Sequence, residues 1–458
     1  MPRYDLVVAG AGGGLIGAIK AAQDGAKVLL IDASDDFLTT CNTSLTTGMF
    51  PASGSRWQKE QGLVDSAEIF TADIMKKTKN SADPVATTAL TEISVEVMEW
   101  MADSLQVPWE LVTDFHYPGH SVDRCLSVVG RKGHLVMAPI WELVCKQNLF
   151  DFMPSTRLVD IEVVDNQVVA AIAENSQGVR ERIAAKNVLM ATNGYGANQE
   201  LLQKYNTEIA HFYYHGSKYS QGDGLEIGVK HGAAASYLDA YQGHAAIAAH
   251  ANTLVGWSTV MQGGFIVNLD GQRFGDESAG YSEFAATLNG QAGSTGWLII
   301  DKEIHDGSML FKEFEVTAAS GAIIWADTME EIASKTDLPV THLLSEFENA
   351  TAVFNGERKD NQGRPKFEKA LRAPFGAIKL RPSLFHTQGG LRVDSQARVL
   401  QESGEVIGGL YAAGGAALGI SGHGSDGYLA GNGLLAAFGF AYLAAQSVVS
   451  NMAVSSKS

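Results

Sequence analysis

A short apolar run opens the chain at Leu6–Ala9, and a cluster of glycines follows it directly. A helical stretch then ends near Gly25, and a second apolar run, Lys27–Ile31, finishes at Asp32. A strand, a helix and a strand in this order form a β-α-β unit, which implies a parallel sheet and a right-handed crossover. The opening of the chain therefore predicts an α/β protein.

Apolar segments typical of buried strands and helices occur again further along the chain. Alternating apolar and polar positions over residues 154–175 predict a β-hairpin with its turn at Asp165-Asn166, and residues 187–191 form another apolar strand. Near the end, a glycine-rich loop leads into a long apolar helix, Leu434–Val449. These segments extend the predicted sheet and its covering helices.

The middle of the chain has a different character. Residues 240–365 carry glycine-broken strands and then acidic helices, and the charged stretch Gly356–Lys369 has the composition of a surface loop. We therefore expect a discontinuous nucleotide-binding domain, residues 1–240 and 370–458, which is interrupted by an α+β capping or substrate domain at residues 241–369.

Charge and cysteine content narrow the class of partner. The 458 residues carry a formal net charge of −17, which repels nucleic acid and anionic lipid, so neither is an expected partner. Glycine is abundant, with 49 residues in short runs that favour tight turns around a ligand. Cys41, Cys125 and Cys145 have no spacing typical of disulfides or zinc, and we expect no metal.

One segment has the length of a membrane span. No charged residue occurs from Leu429 to Val449, but the segment contains several glycines as well as Asn432 and Gln446. We interpret it as a buried core helix. The N-terminus shows no signal-peptide pattern, so we expect a cytoplasmic protein without stable membrane insertion.

The glycine cluster has the pattern of a phosphate-binding turn. Glycines between a strand and a helix let backbone N–H groups approach a pyrophosphate, and Gly10 and Gly12 have this placement. The third glycine of the usual spacing falls on Leu15, so Gly14 takes that role in a turn one residue shorter. Asp32 ends the second strand, where it can accept hydrogen bonds from a ribose diol. These residues predict a dinucleotide, either NAD or FAD.

The far end of the chain favours FAD. Gly409–Gly414 precedes a glycine-rich loop and the helix Leu434–Val449, which brings a second helix N-terminus to the cofactor. A flavin needs such a dipole near N1 and C2=O, because it stabilises the anionic reduced ring.

With these motifs in order, the sequence resembles the FAD-dependent fumarate reductase / 3-ketosteroid dehydrogenase superfamily. The further motifs that carry the resemblance are Cys41–Gly48, Ala191–Gly194, Gly222–Leu225, Gly271–Glu277 and His386–Gly390. The resemblance implies a Rossmann-like FAD-binding domain of the glutathione-reductase type. It also implies cofactor contacts from Asn42, Thr43, Ser44, Thr47, Gly48, Ala191, Thr192, Asn193, Asp223, Gly414, Asn432 and Leu434. No histidine stands in the 41–48 loop, which suggests non-covalent FAD.

Two tyrosines stand where the fumarate-reducing branch has arginines. Tyr281 follows the Gly271–Glu277 motif by four residues, and Tyr428 lies in the loop before the last helix. A dicarboxylate needs cationic forks, whereas a phenol suits a ketone, since it can donate to the carbonyl or remove a proton. The resemblance implies Tyr281 as base and Tyr428 as carbonyl donor, or the reverse. Ala430 replaces a serine of the Δ4 ketosteroid branch.

Other candidate site residues remain open between two interpretations. Tyr117 resembles a tyrosine that assists the base in Δ1 ketosteroid enzymes, or it is a tyrosine of a proline turn. His386 and His244 are substrate contacts or packing histidines. Arg124, like the nearby Arg131, either anchors a substrate carboxylate or forms surface ion pairs.

The leading hypothesis is an FAD-dependent dehydrogenase that introduces a C=C bond next to the carbonyl of a cyclic ketone. The substrate would be a 3-ketosteroid or a smaller oxo-cyclohexane compound, and the length of the chain favours the smaller ring. Reduction would use the same groups, and the electron acceptor is open. The alternative is a fumarate- or dicarboxylate-type ene-reductase. A flavin-carrying electron-transfer subunit is less consistent with the cysteine spacing.

Overall fold

The computed structural model describes residues 4–114 and 116–455. These residues form two compact units. The first unit contains residues 1–112, 120–241 and 386–458, and the second contains residues 113–119 and 242–385. The second unit thus ends later than the predicted boundary at residue 369, because the strand that follows that boundary pairs with the sheet of the second unit.

The strands are numbered in chain order. They are β1 Leu6–Ala9, β2 Val28–Ile31, β3 Phe50–Pro51, β4 Glu110–Leu111, β5 Cys125–Ser127, β6 Asp151–Met153, β7 Thr156–Val164, β8 Gln167–Asn175, β9 Arg180–Ala184, β10 Val188–Met190, β11 Tyr213–Tyr214, β12 Ala235–Ser236, β13 Tyr241–Ala248, β14 Thr253–Leu254, β15 Phe265–Val267, β16 Gly296–Asp301, β17 Ile323–Ala326, β18 Phe375–Thr387, β19 Gly390–Leu391, β20 Arg398–Leu400 and β21 Val406–Ala412.

The α-helices are numbered in the same way. They are α1 Gly14–Gln23, α2 Phe37–Thr40, α3 Asn42–Leu45, α4 Arg56–Glu60, α5 Ala67–Lys77, α6 Pro84–Ser104, α7 Gly133–Gln147, α8 Gln199–Tyr205, α9 Asp223–Lys230, α10 Ser258–Met261, α11 Tyr281–Asn289, α12 Lys302–Ser308, α13 Lys312–Ala319, α14 Met329–Thr336, α15 Val340–Phe354 and α16 Asn432–Ser455.

The first unit is organised by one large sheet with the strand order β6-β2-β1-β10-β21-β8-β7. The pairs from β6 to β21 are parallel, and β1, β2 and β10 are buried along their whole length, as their continuous apolar runs require. The predicted β-α-β opening is therefore confirmed. The predicted hairpin is also present as β7 and β8, with Asp165 and Asn166 at positive φ in its turn.

The long apolar helix α16 packs on α1 in the first unit. A Cβ on Gly13 would lie 2.7 Å from the Cβ of Ala437, and one on Gly17 would lie 2.8 Å from the carbonyl oxygen of Ala441. Glycine on α1 thus permits the close crossing of the two helices. Residues 432–453 are long and apolar enough to cross a membrane, but 67% of the most apolar window is buried inside the fold, as expected for a core helix.

The second unit is built on an antiparallel sheet with the order β14-β13-β18-β16-β15, and β17 also pairs with β18. Helices α10–α15 belong to this unit. The glycine-broken strands that were predicted within residues 240–365 include β15 and β16. The stretch Gly356–Lys369 is not simply a surface loop, because the side chains of Asp360 and Arg364 are buried.

Candidate active site

The turn after β1 is shaped by glycine. Gly10 has φ +102°, and a Cβ there would lie 2.2 Å from the carbonyl oxygen of Ala191 at the end of β10. A Cβ on Gly12 would lie 3.0 Å from Oγ1 of Thr43, and one on Gly14 would lie 2.7 Å from a methyl group of Val8. The backbone of this turn therefore approaches two neighbouring segments more closely than a side chain would allow.

Asp32 lies at the end of β2 beside the glycine turn. Its carboxylate accepts hydrogen bonds from the backbone N–H groups of Ala11, at 2.6 Å, and Ser34, at 2.8 Å. Burial raises the pKa of Asp32 and outweighs these two hydrogen bonds, which lower it. The carboxylate thus connects the phosphate-binding turn to the strand end where a ribose diol would bind.

The predicted flavin loop forms the short helix α3 and the residues after it. Oδ1 of Asn42 accepts from the N–H of Ser217 at 2.6 Å, and Thr43 and Ser44 are buried. The carbonyl of Thr47 accepts from the Ser127 hydroxyl at 3.1 Å. Gly48 has φ +65°, and α7 begins close by, where a Cβ on Gly133 would lie 1.8 Å from the Thr43 carbonyl.

Several of the residues after β10 that were predicted to contact the cofactor bind other protein groups through their side chains. Ala191 is the residue that faces Gly10, and Thr192 Oγ1 accepts from the N–H of Gly224 at 3.0 Å. Asn193 has φ +67° and donates to Ser220 at 2.8 Å. The carboxylate of Asp223 is bound by the guanidinium of Arg157 through both of its oxygens. The Asp223 carboxylate therefore forms an ion pair with Arg157, and its contact with the cofactor stays a prediction.

The beginning of α16 carries a buried acceptor. Asn432 is fully buried, its Nδ2 donates to Ser421 at 3.3 Å, and within residues 4–114 and 116–455 its Oδ1 has no hydrogen-bond partner. Leu434 is buried in the same turn, and Gly414, with φ +59°, lies near Ala437. The isoalloxazine ring of FAD has an N–H donor and develops negative charge when it is reduced. The unpaired oxygen of Asn432 can accept from such a donor, and the N-terminus of α16 stabilises such a charge.

His386 and Tyr428 meet at this turn. Their ring centroids are 6.1 Å apart in an edge-to-face arrangement. A Cβ on Gly433 would lie 2.7 Å from Nε2 of His386 and 3.7 Å from the Tyr428 hydroxyl, so both groups converge on the first turn of α16. Burial lowers the pKa of His386 to about 4, and the Thr387 carbonyl offsets only part of this shift, so the imidazole is neutral at pH 7.

A chain of buried polar groups extends from His386, and its middle members, Gln388 and Ser421, were not predicted as site residues. Nε2 of Gln388 lies 2.9 Å from Nε2 of His386, and Oε1 of Gln388 accepts from Ser421 at 3.1 Å. Ser421 in turn accepts from Asn432. The sequence carries little signal for this contact, because Gln388 and Ser421 lie 33 positions apart in two separate loop segments.

In the second unit, Tyr281 begins α11 directly after Gly280, which has φ +131°. Its ring stacks on His244, with centroids 4.8 Å apart and planes 23° apart. His244 also stacks on Phe385 at 4.9 Å, and its Nδ1 accepts from the N–H of Ala246 at 3.0 Å. The proton of a neutral His244 is therefore on Nε2, and two sequence-predicted site residues are in direct contact.

A buried ion network supports the segment before Tyr281. Arg273 binds both carboxylate oxygens of Glu277, at 2.9 and 2.6 Å, and also binds Asp360 at 2.5 Å. The Glu277 carboxylate accepts from the N–H of Ile266 as well, at 3.1 Å. The Gly271–Glu277 motif is thus a structural element of the second unit. Sequence analysis missed Asp360, because it lies 87 residues from Arg273.

The remaining candidates have different outcomes. Tyr117 is half-buried in the segment 113–119 of the second unit, where its role stays a prediction. Arg131 is half-buried at a turn before α7, with φ +44°. Arg124 is not a surface residue, since its side chain is fully buried between Asp65 and Asp73. The expected surface ion pairs of Arg124 are therefore wrong, because the pairs are buried, and its role as a substrate anchor stays a prediction.

Known proteins with several different activities are similar to this chain. The sequence profile described as FAD binding domain matches residues 5–434. A fumarate reductase (cytochrome) of Shewanella frigidimarina is 27% identical over 453 residues, which cover 96% of this chain and 76% of that protein. A 3-oxosteroid 1-dehydrogenase of Mycolicibacterium smegmatis is 28% identical over 353 residues, which cover 66% of this chain and 60% of that protein.

A solved structure extends the similarity to the three-dimensional fold. The open conformation of a flavocytochrome c3 fumarate reductase superposes with a TM-score of 0.80 and 26% sequence identity. The alignment covers 98% of this chain and 79% of that chain.

Proposed function

The chain belongs to the FAD binding domain family, and from this premise we propose that it introduces a C=C bond next to the carbonyl of a cyclic ketone. FAD is its cofactor, and it is an FAD-dependent oxidoreductase whose relatives act on C–C bonds. The predicted fold class, cofactor and enzyme class are thereby confirmed. The substrate, an oxo-cyclohexane compound or a 3-ketosteroid, and the direction of the reaction are part of the proposal.

One observation carries the proposal. The hydroxyl of Tyr428 and Nε2 of His386 converge on the first turn of α16, beside the buried acceptor Asn432. The His386 imidazole is uncharged near neutral pH, because its pKa is about 4, and a phenol such as Tyr428 supplies no positive charge. A neutral donor favours a carbonyl oxygen over a carboxylate, which needs cationic partners when it is buried.

Tyr428 is the proposed carbonyl donor. Negative charge grows on a ketone oxygen when the α-proton leaves, and an O–H group aimed at this oxygen stabilises the enolate more than it stabilises the ketone. Tyr428 is 9% exposed, so its hydroxyl acts in a site from which bulk water is largely excluded. Electrostatic stabilisation is stronger in such a site than in water.

Tyr281 is the proposed base. As phenolate it takes the α-proton and becomes the neutral phenol, while the C–H electron pair forms the enolate π-bond. When bound, FAD supplies the acceptor for the hydride that leaves the β-carbon. His244 stacks on the Tyr281 ring and holds its orientation. Residues Gly10, Gly12, Asp32 and Asn432 would hold the cofactor.

Reduction of a dicarboxylate is the second candidate function. The similarity to the fumarate reductase over 96% of the chain favours it. It requires arginines that clamp carboxylates, yet tyrosine stands at both positions where the resemblance expects arginine, and Arg124 is held by two aspartates. The ketone reaction is therefore the first choice.

An anaerobic half-reaction distinguishes the two candidates. The FAD-loaded protein is mixed with a panel of saturated ring ketones, from cyclohexanones to 3-ketosteroids, and with succinate, and the loss of the flavin absorbance is followed. Bleaching by a ketone but not by succinate supports the proposal. Reoxidation of dithionite-reduced protein by fumarate, with no response to any ketone, would establish the second candidate instead.

A further inference from the structure

A buried polar network of the first unit reaches the loop that carries Tyr428. Its members are Asp65, Asp73, His120, Arg124 and the backbone carbonyl of Ala430. Each of the four side chains is at most one-tenth exposed. Buried polar groups need hydrogen-bond partners, so the side chains of this network are held in fixed positions. They in turn fix the position of the Ala430 carbonyl.

Arg124 forms the rigid centre of the network. Its Nε and Nη2 donate to the two oxygens of Asp65, at 2.9 and 3.0 Å, and its Nη1 donates to Asp73 at 2.6 Å. The guanidinium carbon lies 4.5 Å from the ring centroid of Phe70. Burial alone would raise the pKa of Asp73, but hydrogen bonds from Ser121 and Arg124 outweigh this effect and lower it. The Asp73 carboxylate therefore stays ionised, and both aspartates hold the guanidinium in place through their hydrogen bonds.

The partners of His120 determine its tautomer. Nη1 of Arg124 lies 3.0 Å from Nδ1 of His120, and a guanidinium can only donate, so Nδ1 is the acceptor. The proton of the neutral ring is then on Nε2, from which it is donated to the carbonyl of Ala430 at 3.1 Å. A positive charge on the ring would bring an N–H group against the guanidinium, so the geometry requires the neutral form.

The Ala430 carbonyl lies between Tyr428 and Asn432 in the sequence. The next residue, Gly431, also fixes the loop. It has φ +87°, and a Cβ there would lie 2.5 Å from Pro51, so the backbone packs directly against this proline. The hydrogen bond from His120 and this close backbone contact together fix the course of the loop.

We propose that His120, oriented by Arg124, is a positioning residue that aims the Tyr428 hydroxyl through the carbonyl of Ala430. The inference rests on the proposed function, in which Tyr428 donates to the substrate carbonyl. Loss of the His120 hydrogen bond lets the loop shift, and a displacement of about 1 Å at a reacting group lowers a rate on the order of a hundredfold.

The test compares His120→Leu with His120→Gln in the FAD-loaded protein. Leucine removes both hydrogen bonds, whereas a glutamine amide has an oxygen acceptor for Arg124 and an N–H donor for Ala430. His120→Leu is expected to slow flavin reduction by the best ring ketone of the panel by about tenfold to a hundredfold. His120→Gln is expected to restore most of the rate. His231→Leu is the control, since that histidine pairs with Asp160 elsewhere in the first unit.

A double-mutant comparison shows whether His120 acts through Tyr428. In a Tyr428→Phe background, His120→Leu is expected to cause no further loss of rate, because the group that it positions is already absent. Hydrogen–deuterium exchange of residues 427–432, measured without substrate, is expected to increase in His120→Leu and to stay at the wild-type level in His120→Gln.

The outcomes separate the two proposals. If Tyr428→Phe slows flavin reduction while His120→Leu leaves both the rate and the exchange unchanged, the positioning role is wrong and the proposed function stands. If His120→Leu lowers the rate equally in both backgrounds, the network acts elsewhere and the inference also fails. If Tyr428→Phe has no effect on any ketone, the proposed donor itself is wrong.

Discussion

The imidazole of His386 and the phenol of Tyr428 meet edge to face, with ring centroids 6.1 Å apart, at the first turn of α16. These residues lie 42 positions apart in the sequence; His386 stands near the end of β18, and Tyr428 follows a glycine-rich segment. Their meeting point is also the position of Asn432, the buried acceptor at the helix N-terminus. The arrangement places an uncharged donor, a neutral imidazole and a helix dipole in one small region.

The Tyr428→Phe variant tests the donor directly. It removes the hydroxyl and keeps the ring that packs against His386, so the fold and the FAD content should not change. The loss of one donor to a developing oxyanion lowers rates by about 10²- to 10³-fold. We expect a loss of this size in the rate of flavin reduction by a ring ketone, measured by anaerobic stopped flow. A normal rate with full FAD content would exclude Tyr428 as the donor.

The pKa of His386 predicts a pH-dependent contribution to stability. Its folded pKa is about 4 and its unfolded value is about 6.5, so the unfolded state binds more protons between these values. Stability from this group is complete above about pH 6.5 and is lost as the pH falls towards 4, up to about 3 kcal/mol. We expect the free energy of urea unfolding of His386→Gln to fall less between pH 7 and pH 4.5 than that of the wild type.

The sequence predicted the parts of the fold that local pattern determines. The strand Leu6–Ala9, the glycine turn and the hairpin turn at Asp165-Asn166 depend on neighbouring residues, and the structure contains all three. The partners of Arg124 could not be predicted, since Asp65 and Asp73 lie more than 50 positions away on other elements. A charged residue looks the same in a sequence whether it faces water or a buried carboxylate.

Arg124→Leu should affect stability before it affects substrate binding. The change leaves the carboxylates of Asp65 and Asp73 buried without their cation, and removal of one partner of a buried ion pair costs about 3–5 kcal/mol. We expect a loss of this size in the free energy of urea unfolding. Arg180→Ala, which removes an exposed ion pair with Glu174, should change it by no more than about 1 kcal/mol. An unchanged unfolding curve with a raised KM would support the substrate-anchor role of Arg124.

Gly10→Ala tests the glycine turn with a matched control. Gly10 and Gly25 have similar φ angles, +102° and +94°, but a Cβ would meet the Ala191 carbonyl at 2.2 Å in Gly10 and open space in Gly25. Gly25→Ala should therefore show only the backbone cost, about 1–2 kcal/mol. Gly10→Ala should lose more stability and most of its bound FAD, measured by the flavin-to-protein absorbance ratio. Equal losses in the two variants would show that the turn tolerates a side chain.

Tyr281→Phe separates proton removal from hydride transfer. The variant keeps the ring that stacks on His244 and removes the oxygen that takes the α-proton. A ketone deuterated at its α-carbons should lose deuterium to water on the wild-type protein under anaerobic conditions. We expect this exchange, followed by mass spectrometry, to fall by about 10²- to 10⁴-fold in Tyr281→Phe.

The pH dependence of the exchange distinguishes the two tyrosines. Tyr428→Phe also slows the exchange, because it removes the donor that stabilises the enolate, so the size of the loss alone does not identify the base. A base must be ionised, so wild-type exchange should rise with pH, and this rise should be absent from Tyr281→Phe but retained in Tyr428→Phe. The opposite result would exchange the roles of the two tyrosines.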